Sequence, residues 1–298
     1  MTIRYEVNLG VQIIYAIIAL GLIGLVFGVL LSVAARIFAV KVDPRVDKIK
    51  DVLPGANCGA CGYAGCVQFA EAVVRGEVNP SGCIPGGTET AKNLAAELGQ
   101  EIAETEPVVA TVFCIGDNEK AADLFLYDGV EDCAVAERFY GGFKACGYGC
   151  LGLGNCVRVC PFEAIEIGSH GLPVVDQAAC TGCGLCVNAC PRDLIKTLPR
   201  RSNQGHLVLC SSHERGKTVS KACSVGCIAC RACVKACPRE AIDMDEKLAV
   251  IDIDKCDDCG ECVSVCPPVT IYPRTAIPEK LADVENRPGV AAASEDGS

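Results

Sequence analysis

Cysteine is the residue type in this chain that could do chemistry, because its 24 copies cluster at short, repeated spacings. The clearest run reads CTGCGLCVNACP at residues 180–191. Three closely spaced thiolates of this kind bind one 4Fe-4S cluster, while the cysteine before the proline ligates a neighbouring cluster. The spacing therefore predicts one-electron transfer through iron-sulfur clusters.

The composition supports this interpretation. If all 24 cysteines ligate iron, the chain holds six such clusters, and we expect five or six. Cysteines at ligand spacings, rather than spread as long-range staples, indicate a reducing compartment. The formal net charge of −10 argues against a nucleic-acid partner, which would require a basic face. Only 5% of residues are aromatic, so metal-thiolate bonds must supply much of the folding free energy.

An apolar stretch near the start of the chain predicts a membrane anchor. Residues 7–35 carry no charge, and the apolar part, residues 11–35, would make about 37 Å of helix, enough to cross a hydrocarbon core of about 30 Å. More basic residues follow the stretch than precede it, which predicts a single-pass protein of the inner (cytoplasmic) membrane with its iron-sulfur domains on the cytoplasmic side. A cleaved signal peptide is the alternative, but its apolar region normally spans about 7 to 15 residues.

A small module with four cysteines follows the anchor, and glycines between the cysteines allow a loop to wrap around a cluster. We expect a 4Fe-4S cluster here, and a structural zinc site is the alternative. The pattern predicts a short helix over residues 67–75, ending at Gly76, and one or two short helices over residues 88–104. The expected ligands are Cys58, Cys61, Cys66 and Cys83.

The remaining cysteines lie in two copies of one pattern. Residues 144–165 align without a gap with residues 221–242, and each copy continues with a second cysteine run that ends in Cys-Pro. Such self-similarity indicates duplication of one structural unit. Each copy predicts a ferredoxin-like fold with two clusters. Short strands are expected beside the cluster loops, at residues 164–167, 173–176, 241–244 and 249–252.

The crossover of the fourth cysteine assigns most of the ligands. In the second copy, one cluster is expected on Cys227, Cys230, Cys233 and Cys266. The other is expected on Cys237, Cys256, Cys259 and Cys262. In the first copy, one cluster is expected on Cys160, Cys180, Cys183 and Cys186.

The first copy departs from the pattern at Leu153, which stands where the second copy has Cys230. A cluster on Cys150, Cys156 and Cys190 therefore needs another ligand, and Cys146, the nearest in sequence, is the expected one. By subtraction, a sixth cluster that joins the two copies would use Cys114, Cys133, Cys210 and Cys223.

Three alternatives stay open for these cysteines. Cys146 and Cys223 correspond in the repeat, so they could exchange roles. Cys114 or Cys133 could instead replace the missing ligand. Some of these cysteines could also be reduced structural thiols.

The joint order of these motifs resembles the B subunit of the Rnf complex, the membrane-bound ferredoxin:NAD oxidoreductase of bacteria. The resemblance rests on the N-terminal span, the module that ends in CIPGG at residues 83–87, and the stretch CGYGCLGLGNCVRVCPFEAI at residues 146–165. It covers the chain up to about Pro273, and the cysteine-rich second half is similar to the longer form found in anaerobes.

The resemblance implies a fold, an activity and partners. The protein would take electrons from reduced ferredoxin and relay them to other membrane subunits, which carry flavins and reduce NAD while sodium ions or protons are exported. The sequence shows no dinucleotide fingerprint, phosphate loop or paired catalytic carboxylates, so we expect no complete active site in this chain. The alternatives are a polyferredoxin subunit of another oxidoreductase, acting on hydrogen or a disulfide, and a zinc-rich membrane-tethered scaffold.

The expected fold class is α+β, with an anchor at residues 1–40, the four-cysteine module at 41–106, ferredoxin-like units at 107–202 and 203–273, and a disordered tail at 274–298. Basic residues near the cluster loops form a candidate docking surface for an acidic ferredoxin. They are Arg192, Lys196, Arg200 and Arg201 in the first unit, and Lys217, Lys221, Arg231, Lys235 and Arg239 in the second.

Overall fold

A computed structural model describes residues 9–38, 43–100, 106–200 and 205–274. The chain divides into two compact units, Met1–Val46 and Asp47–Ser298. The division falls inside helix α2 (Pro44–Val52). Residues 275–298, which hold nearly all of the expected disordered tail, lie outside the described residues.

The first compact unit, Met1–Val46, contains the apolar helix α1 (Leu9–Ile37). Its segment Gln12–Ile37 has 26 residues with a mean hydropathy of 2.8, which is long and apolar enough to cross a membrane. Large apolar side chains such as Ile14, Leu20 and Leu25 are exposed along it. Lipid tails would cover such a surface.

The four-cysteine module is helical. It contains the end of α2, α3 (Cys66–Val74), the 3₁₀ turns Pro80–Gly82 and Ile84–Gly86, and α4 (Gly87–Leu98). The expected short helix is present and ends just before Gly76. The second expected helix stops at Gly99, whose φ of 65° gives the left-handed cap that glycine favours, so Gly99 ends the helix and does not lie inside it.

The first ferredoxin-like unit is closed by two widely separated strands. Its elements are β1 (Val108–Val112), α5 (Cys133–Arg138), α6 (Asn155–Arg158), β2 (Ile165–Ile167), β3 (Pro173–Val175), α7 (Leu185–Ala189) and β4 (Ile195–Pro199). Strands β2 and β3 form an antiparallel hairpin, and β1 pairs antiparallel with β4, with Val108 opposite Pro199.

The second ferredoxin-like unit repeats this topology. Its elements are β5 (His206–Val208), α8 (Gly216–Ala222), α9 (Ala232–Ala236), β6 (Ile242–Asp245), β7 (Leu248–Ile251), α10 (Glu261–Ser264) and β8 (Ile271–Pro273). Strand β6 pairs with β7, and β5 pairs with β8. The prediction of an α+β fold with two tandem ferredoxin-like units is confirmed.

The loop between β1 and α6 of the first ferredoxin-like unit, residues 113–154, makes many of the contacts between the two units. It is longer than its counterpart in the second unit, residues 209–231, and is called the insertion. Backbone hydrogen bonds run from Ala122 N to Ala222 O at 2.9 Å and from Ser224 N to Lys120 O at 2.9 Å. A small apolar cluster at the same junction contains Ile115 of the insertion and Leu209 of the second unit. The insertion therefore holds the two units together.

Candidate iron-sulfur sites

Groups of four cysteines surround cavities in the described part of the chain. The groups are numbered so that consecutive numbers are neighbours in the structure. Four of the groups line cavities of about 350 to 420 Å³, a volume that includes space open to solvent. They are group 1 (Cys58, Cys61, Cys66, Cys83), group 3 (Cys133, Cys150, Cys156, Cys190), group 4 (Cys114, Cys146, Cys210, Cys223) and group 5 (Cys227, Cys230, Cys233, Cys266).

The other eight cysteines fall into two further groups, which are recognised by the charges that act on one buried thiol in each. Burial raises the pKa of Cys186 to about 11, and the charges of Cys180, Cys183 and Cys160 add to the shift. Burial likewise raises the pKa of Cys262 to about 12, with contributions from Cys256, Cys259 and Cys237. These sets are group 2 (Cys160, Cys180, Cys183, Cys186) and group 6 (Cys237, Cys256, Cys259, Cys262).

Group 3 bears on the ligand that the sequence left open. The fourth cysteine beside Cys150, Cys156 and Cys190 is Cys133, which favours the alternative ligand Cys133 over the expected Cys146. Cys146 instead lines the cavity of group 4, where the subtraction from the sequence had placed Cys133.

Hydrogen bonds from α6 explain why Cys133 reaches group 3. The backbone N–H of Cys133 donates to Asn155 Oδ1 at 2.8 Å, and Asn155 Nδ2 donates to Asp132 Oδ2 at 3.2 Å. Asp132 also caps α5 by accepting from Val135 N at 2.9 Å. Because Asn155 is the residue before Cys156, these bonds fix the start of α5 beside the group.

Group 4 is built from two equivalent pairs of cysteines, one pair from each ferredoxin-like unit. Cys114 and Cys210 each lie two residues beyond the first strand of their unit. The Sγ of Cys114 accepts from Cys150 N at 3.4 Å, and the Sγ of Cys210 accepts from Cys227 N at 3.4 Å. Cys146 and Cys223 form the other equivalent set in the repeat.

The equivalence of these cysteine pairs can be read from the sequence, and it points to Cys133 as the fourth cysteine of group 3. Once Cys114 is matched with Cys210 and Cys146 with Cys223, Cys133 is the cysteine that has no counterpart in the second copy. Leu153 is the ligand position that has no cysteine. The unmatched cysteine therefore fills the unmatched position.

All four Cys-Pro turns have the same backbone geometry. The amide of the fourth residue after the cysteine donates to its Sγ at 3.4 Å, in the pairs Ala164–Cys160, Leu194–Cys190, Ala241–Cys237 and Thr270–Cys266. The residue before each donor has a φ of 51 to 53°. Amide donors that point at sulfur stabilise the thiolate and tune the potential of a bound cluster.

Buried thiols in these groups need a positive partner to lose their protons. Burial raises the pKa of Cys114 and of Cys150 to about 12, and that of Cys210 to about 11. The iron of a cluster would supply the compensating charge, because metal ligation requires the thiolate.

The shape of the groups fits a cluster better than a single metal ion. A zinc ion with sulfurs at about 2.3 Å would draw four of them to within about 4 Å of one another. In the described ranges, no three Cys, His, Asp or Glu side chains converge as the ligands of one metal ion.

The six groups form a continuous row. The charge of Cys58 in group 1 adds to burial in raising the pKa of Cys183 in group 2. Likewise, the charge of Cys186 in group 2 adds to burial in raising the pKa of Cys156 in group 3. The amide-to-sulfur bonds of Cys150 and Cys227 connect group 3 to group 4 and group 4 to group 5. Cys233 of group 5 adds to burial in raising the pKa of Cys262 in group 6.

Arg192 is not part of a docking surface, in contrast to the expectation from the sequence. Its side chain is only 3% exposed, and its Nε lies 2.5 Å from Glu137 Oε2 of α5. It also donates to the carbonyl oxygen of Cys146 at 2.9 Å. Arg192 therefore ties α5 to the loop between groups 3 and 4. Arg201 lies outside the described ranges. The other expected residues are exposed, namely Lys196, Arg200, Lys217, Lys221, Arg231, Lys235 and Arg239.

The fold and these groups define a class: an iron-sulfur electron carrier with tandem ferredoxin-like units and a membrane helix. Family models agree with this class. A model for an Fe-S cluster matches residues 53–85. Models described as 4Fe-4S dicluster domains match residues 145–195 and 226–269.

Curated relatives identify the family, and each is the B subunit of its complex. That of the ion-translocating oxidoreductase complex of Methanosarcina acetivorans is 46% identical over 86% of this chain and 96% of its own length. That of the proton-translocating ferredoxin:NAD(+) oxidoreductase complex of Clostridium ljungdahlii is 48% identical over 86% of this chain and 90% of its own. That of the Na(+)-translocating ferredoxin:NAD(+) oxidoreductase complex of Acetobacterium woodii is 45% identical over 83% of this chain and 74% of its own.

The chain therefore belongs to the family of B subunits of ion-translocating oxidoreductase complexes, and the resemblance to the Rnf protein is confirmed. It is a membrane-associated iron-sulfur subunit of an oxidoreductase complex, and it carries 4Fe-4S clusters.

Proposed function

We propose that this protein accepts electrons from reduced ferredoxin and relays them, through the row of cysteine groups, towards flavin-bearing subunits that reduce NAD. The continuous row of six groups is the observation that carries the proposal. The names of the Clostridium and Acetobacterium relatives, which belong to ferredoxin:NAD(+) oxidoreductase complexes, support the donor and the acceptor.

We propose one 4Fe-4S cluster on each group, and thus six clusters with all 24 cysteines as ligands. When bound, such clusters supply reversible one-electron transfer. The chain's own part is to hold four thiolates around each cavity, to exclude water from buried sulfurs, and to direct amide N–H groups at them. The similar size of the four measured cavities and the shared geometry of the Cys-Pro turns support one kind of cluster throughout.

The proposed setting is a single-pass inner-membrane protein with its iron-sulfur domains on the cytoplasmic side. The basic residues in the last turn of α1 and beyond it, including Arg36 and Arg45, support this orientation. After the anchor we propose the domain boundaries 41–106, 107–202 and 203–273. The pairs β1–β4 and β5–β8 support the last two boundaries, because each pair closes one unit.

The proposed ferredoxin site lies on the second unit, near groups 5 and 6. Exposed lysines there, Lys217, Lys221 and Lys235, would attract an acidic protein and speed its encounter.

The test is an assay of the membrane complex, purified without oxygen, for NAD reduction by reduced ferredoxin. The variant Lys221→Glu/Lys235→Glu should raise the KM for ferredoxin and leave turnover with a small chemical reductant unchanged. The control Lys247→Glu reverses an exposed charge at the tip of the β6–β7 hairpin and should have little effect. The proposal would be overturned if the wild-type complex did not reduce NAD with any electron donor. It would also be overturned if this chain co-purified with a hydrogen- or disulfide-converting enzyme.

A further inference from the structure

The insertion of the first unit exposes an unusual number of large apolar side chains. Leu126 is 93% exposed and Tyr140 is 87% exposed. The Phe139 ring lies 6.4 Å from the Phe125 ring and 5.1 Å from the Tyr140 ring, so the exposed rings are contiguous. The apolar patch, as we name it, consists of Leu124, Phe125, Leu126, Val130, Val135, Phe139 and Tyr140.

The segment that carries the patch is held in a defined conformation. Leu124 N donates to Phe143 O at 2.7 Å, and the Tyr127 ring stacks on the Phe143 ring at 5.3 Å. The Tyr127 hydroxyl donates to Val130 O at 2.9 Å. Little entropy would therefore be lost when a partner binds, which is a property of preorganised interfaces. Contiguous exposed apolar patches on soluble domains mark interaction sites.

Acidic residues border the patch and restrict what can cover it. Asp128 and Glu131 are exposed within the same segment. Asp123, which is ion-paired with Lys144, is about half exposed beside Leu124. The exposed base Arg138 precedes Phe139, and the carboxylates of Asp128 and Glu131 outnumber it. A lipid surface that carries anionic headgroups would be repelled by these carboxylates. An acidic ferredoxin would be repelled for the same reason.

We propose that the apolar patch docks another protein subunit of the same membrane complex, one that presents apolar side chains bordered by Lys and Arg. The inference rests on the proposed function, because it assumes that the chain works inside such a complex. Position supports it. Helix α5 begins at Cys133 of group 3, and Phe139 follows the end of that helix. Six helical residues rise about 9 Å, so a docked subunit would lie close to the group 3 ligands.

The first test places a photo-crosslinking residue at Leu126 in the complex purified without oxygen. Crosslinks should go to another subunit of the complex and should weaken as salt is raised. The control places the same residue at Val250, an exposed apolar side chain of β7, and should give little crosslinking to that subunit. Crosslinks to ferredoxin, to lipid, to a second copy of this chain or to its own residues 275–298 would overturn the proposal. So would a yield at Leu126 no higher than at Val250.

The second test replaces patch side chains that make no contact with the cysteine groups. Leu126→Glu/Tyr140→Ser should keep the wild-type iron content and the wild-type rate of reduction by ferredoxin. Its affinity for the rest of the complex should fall at least about tenfold, as when aromatic side chains are removed from an interface core. The control Val250→Glu should bind as the wild type does, and equal binding of both variants would contradict the proposal. If the wild-type complex does not reduce NAD with ferredoxin, the proposed function fails, while crosslinking and affinity still test the patch.

Discussion

At the scale of single residues, Cys133 is the fourth cysteine beside Cys150, Cys156 and Cys190 in group 3. It reaches group 3 from outside the ferredoxin pattern, because Asn155 accepts a hydrogen bond from its backbone N–H. Leu153 occupies the position that the pattern would give to a cysteine. Cys146 is thereby available to group 4, where it lines the cavity with Cys114, Cys210 and Cys223.

This arrangement predicts a rescue. Cys133→Ser should remove about four iron atoms per chain, the content of one 4Fe-4S cluster. Adding Leu153→Cys should restore them, because that change recreates the ligand spacing of the second copy. Leu153→Cys should not restore iron to the control Cys146→Ser, whose loss is from group 4. Iron analysis of Cys133→Ser, Cys146→Ser and each of these combined with Leu153→Cys tests the assignment of Cys133 to group 3. A rescue of Cys146→Ser would refute that assignment.

The buried thiols predict how cluster retention depends on pH. Burial raises the pKa of Cys150 from 9.0 to about 12. In the iron-free chain this shift contributes to stability below pH 9.0. The contribution is lost as the pH rises from 9.0 towards the pKa of Cys150 in the folded protein, about 12. With iron bound the thiol has no proton, so release of iron takes up a proton until the pH exceeds the raised pKa.

Iron retention against a fixed concentration of chelator should therefore keep rising above pH 9.0. Iron bound to a short cysteine peptide, whose thiols have ordinary pKa values, is the control and should level off near that pH. A curve for the protein that levels off together with the peptide would contradict the role of burial.

At the scale of elements, a short helix begins after each cluster loop of the two ferredoxin-like units from a residue in the left-handed region. That residue is Gly154, Gly184 or Gly260 at three of the four places, with φ between 76 and 79°. At the fourth place it is Arg231, with a φ of 61°. A side chain in this region costs about 1 to 2 kcal/mol, so α9 begins from a strained position.

The strain predicts opposite effects at equivalent positions. Arg231→Gly should stabilise the protein by about 1 kcal/mol, because glycine adopts this conformation without the steric cost. Gly184→Ala should destabilise it by a similar amount, because an added Cβ meets no atom within 4 Å and only the backbone penalty applies. Denaturant unfolding without oxygen measures both. Equal stabilities for the two variants would show that the left-handed start is not a source of strain.

The elements also show what the sequence could and could not predict. Inner hairpins such as β2–β3 were predictable, because their strands lie close together beside recognisable cysteine runs. The β1–β4 pair was not, because Val108 and Pro199 are distant in sequence and only the folded unit brings them together. Arg192 looked like a surface cation because its charge is visible in the sequence, while its contact with Glu137 depends on the placement of α5.

At the scale of the whole molecule, group 4 connects the two ferredoxin-like units. Each unit contributes two cysteines to it, and backbone bonds between the insertion and the end of α8 hold the units together around it. Electrons that enter the second unit would have to pass this group to reach groups 1 to 3.

Removal of a group 4 ligand should therefore interrupt the relay. Cys210→Ser should lose about four iron atoms per chain, and ferredoxin should still reduce groups 5 and 6. NAD reduction by the complex should fall to background. The matched control is Ser212→Ala, which alters a neighbouring side chain without removing a ligand. Full NAD reduction by a Cys210→Ser complex that has lost the iron would show that electrons bypass group 4.

Metal and sulfide analysis of the full-length chain, purified without oxygen, tests the central claim most directly. Six groups that each hold a 4Fe-4S cluster require about 24 iron atoms and about 24 acid-labile sulfides per chain. We expect those values, with no stoichiometric zinc. About six zinc ions per chain and no sulfide, one metal ion for each group of four cysteines, would contradict the account.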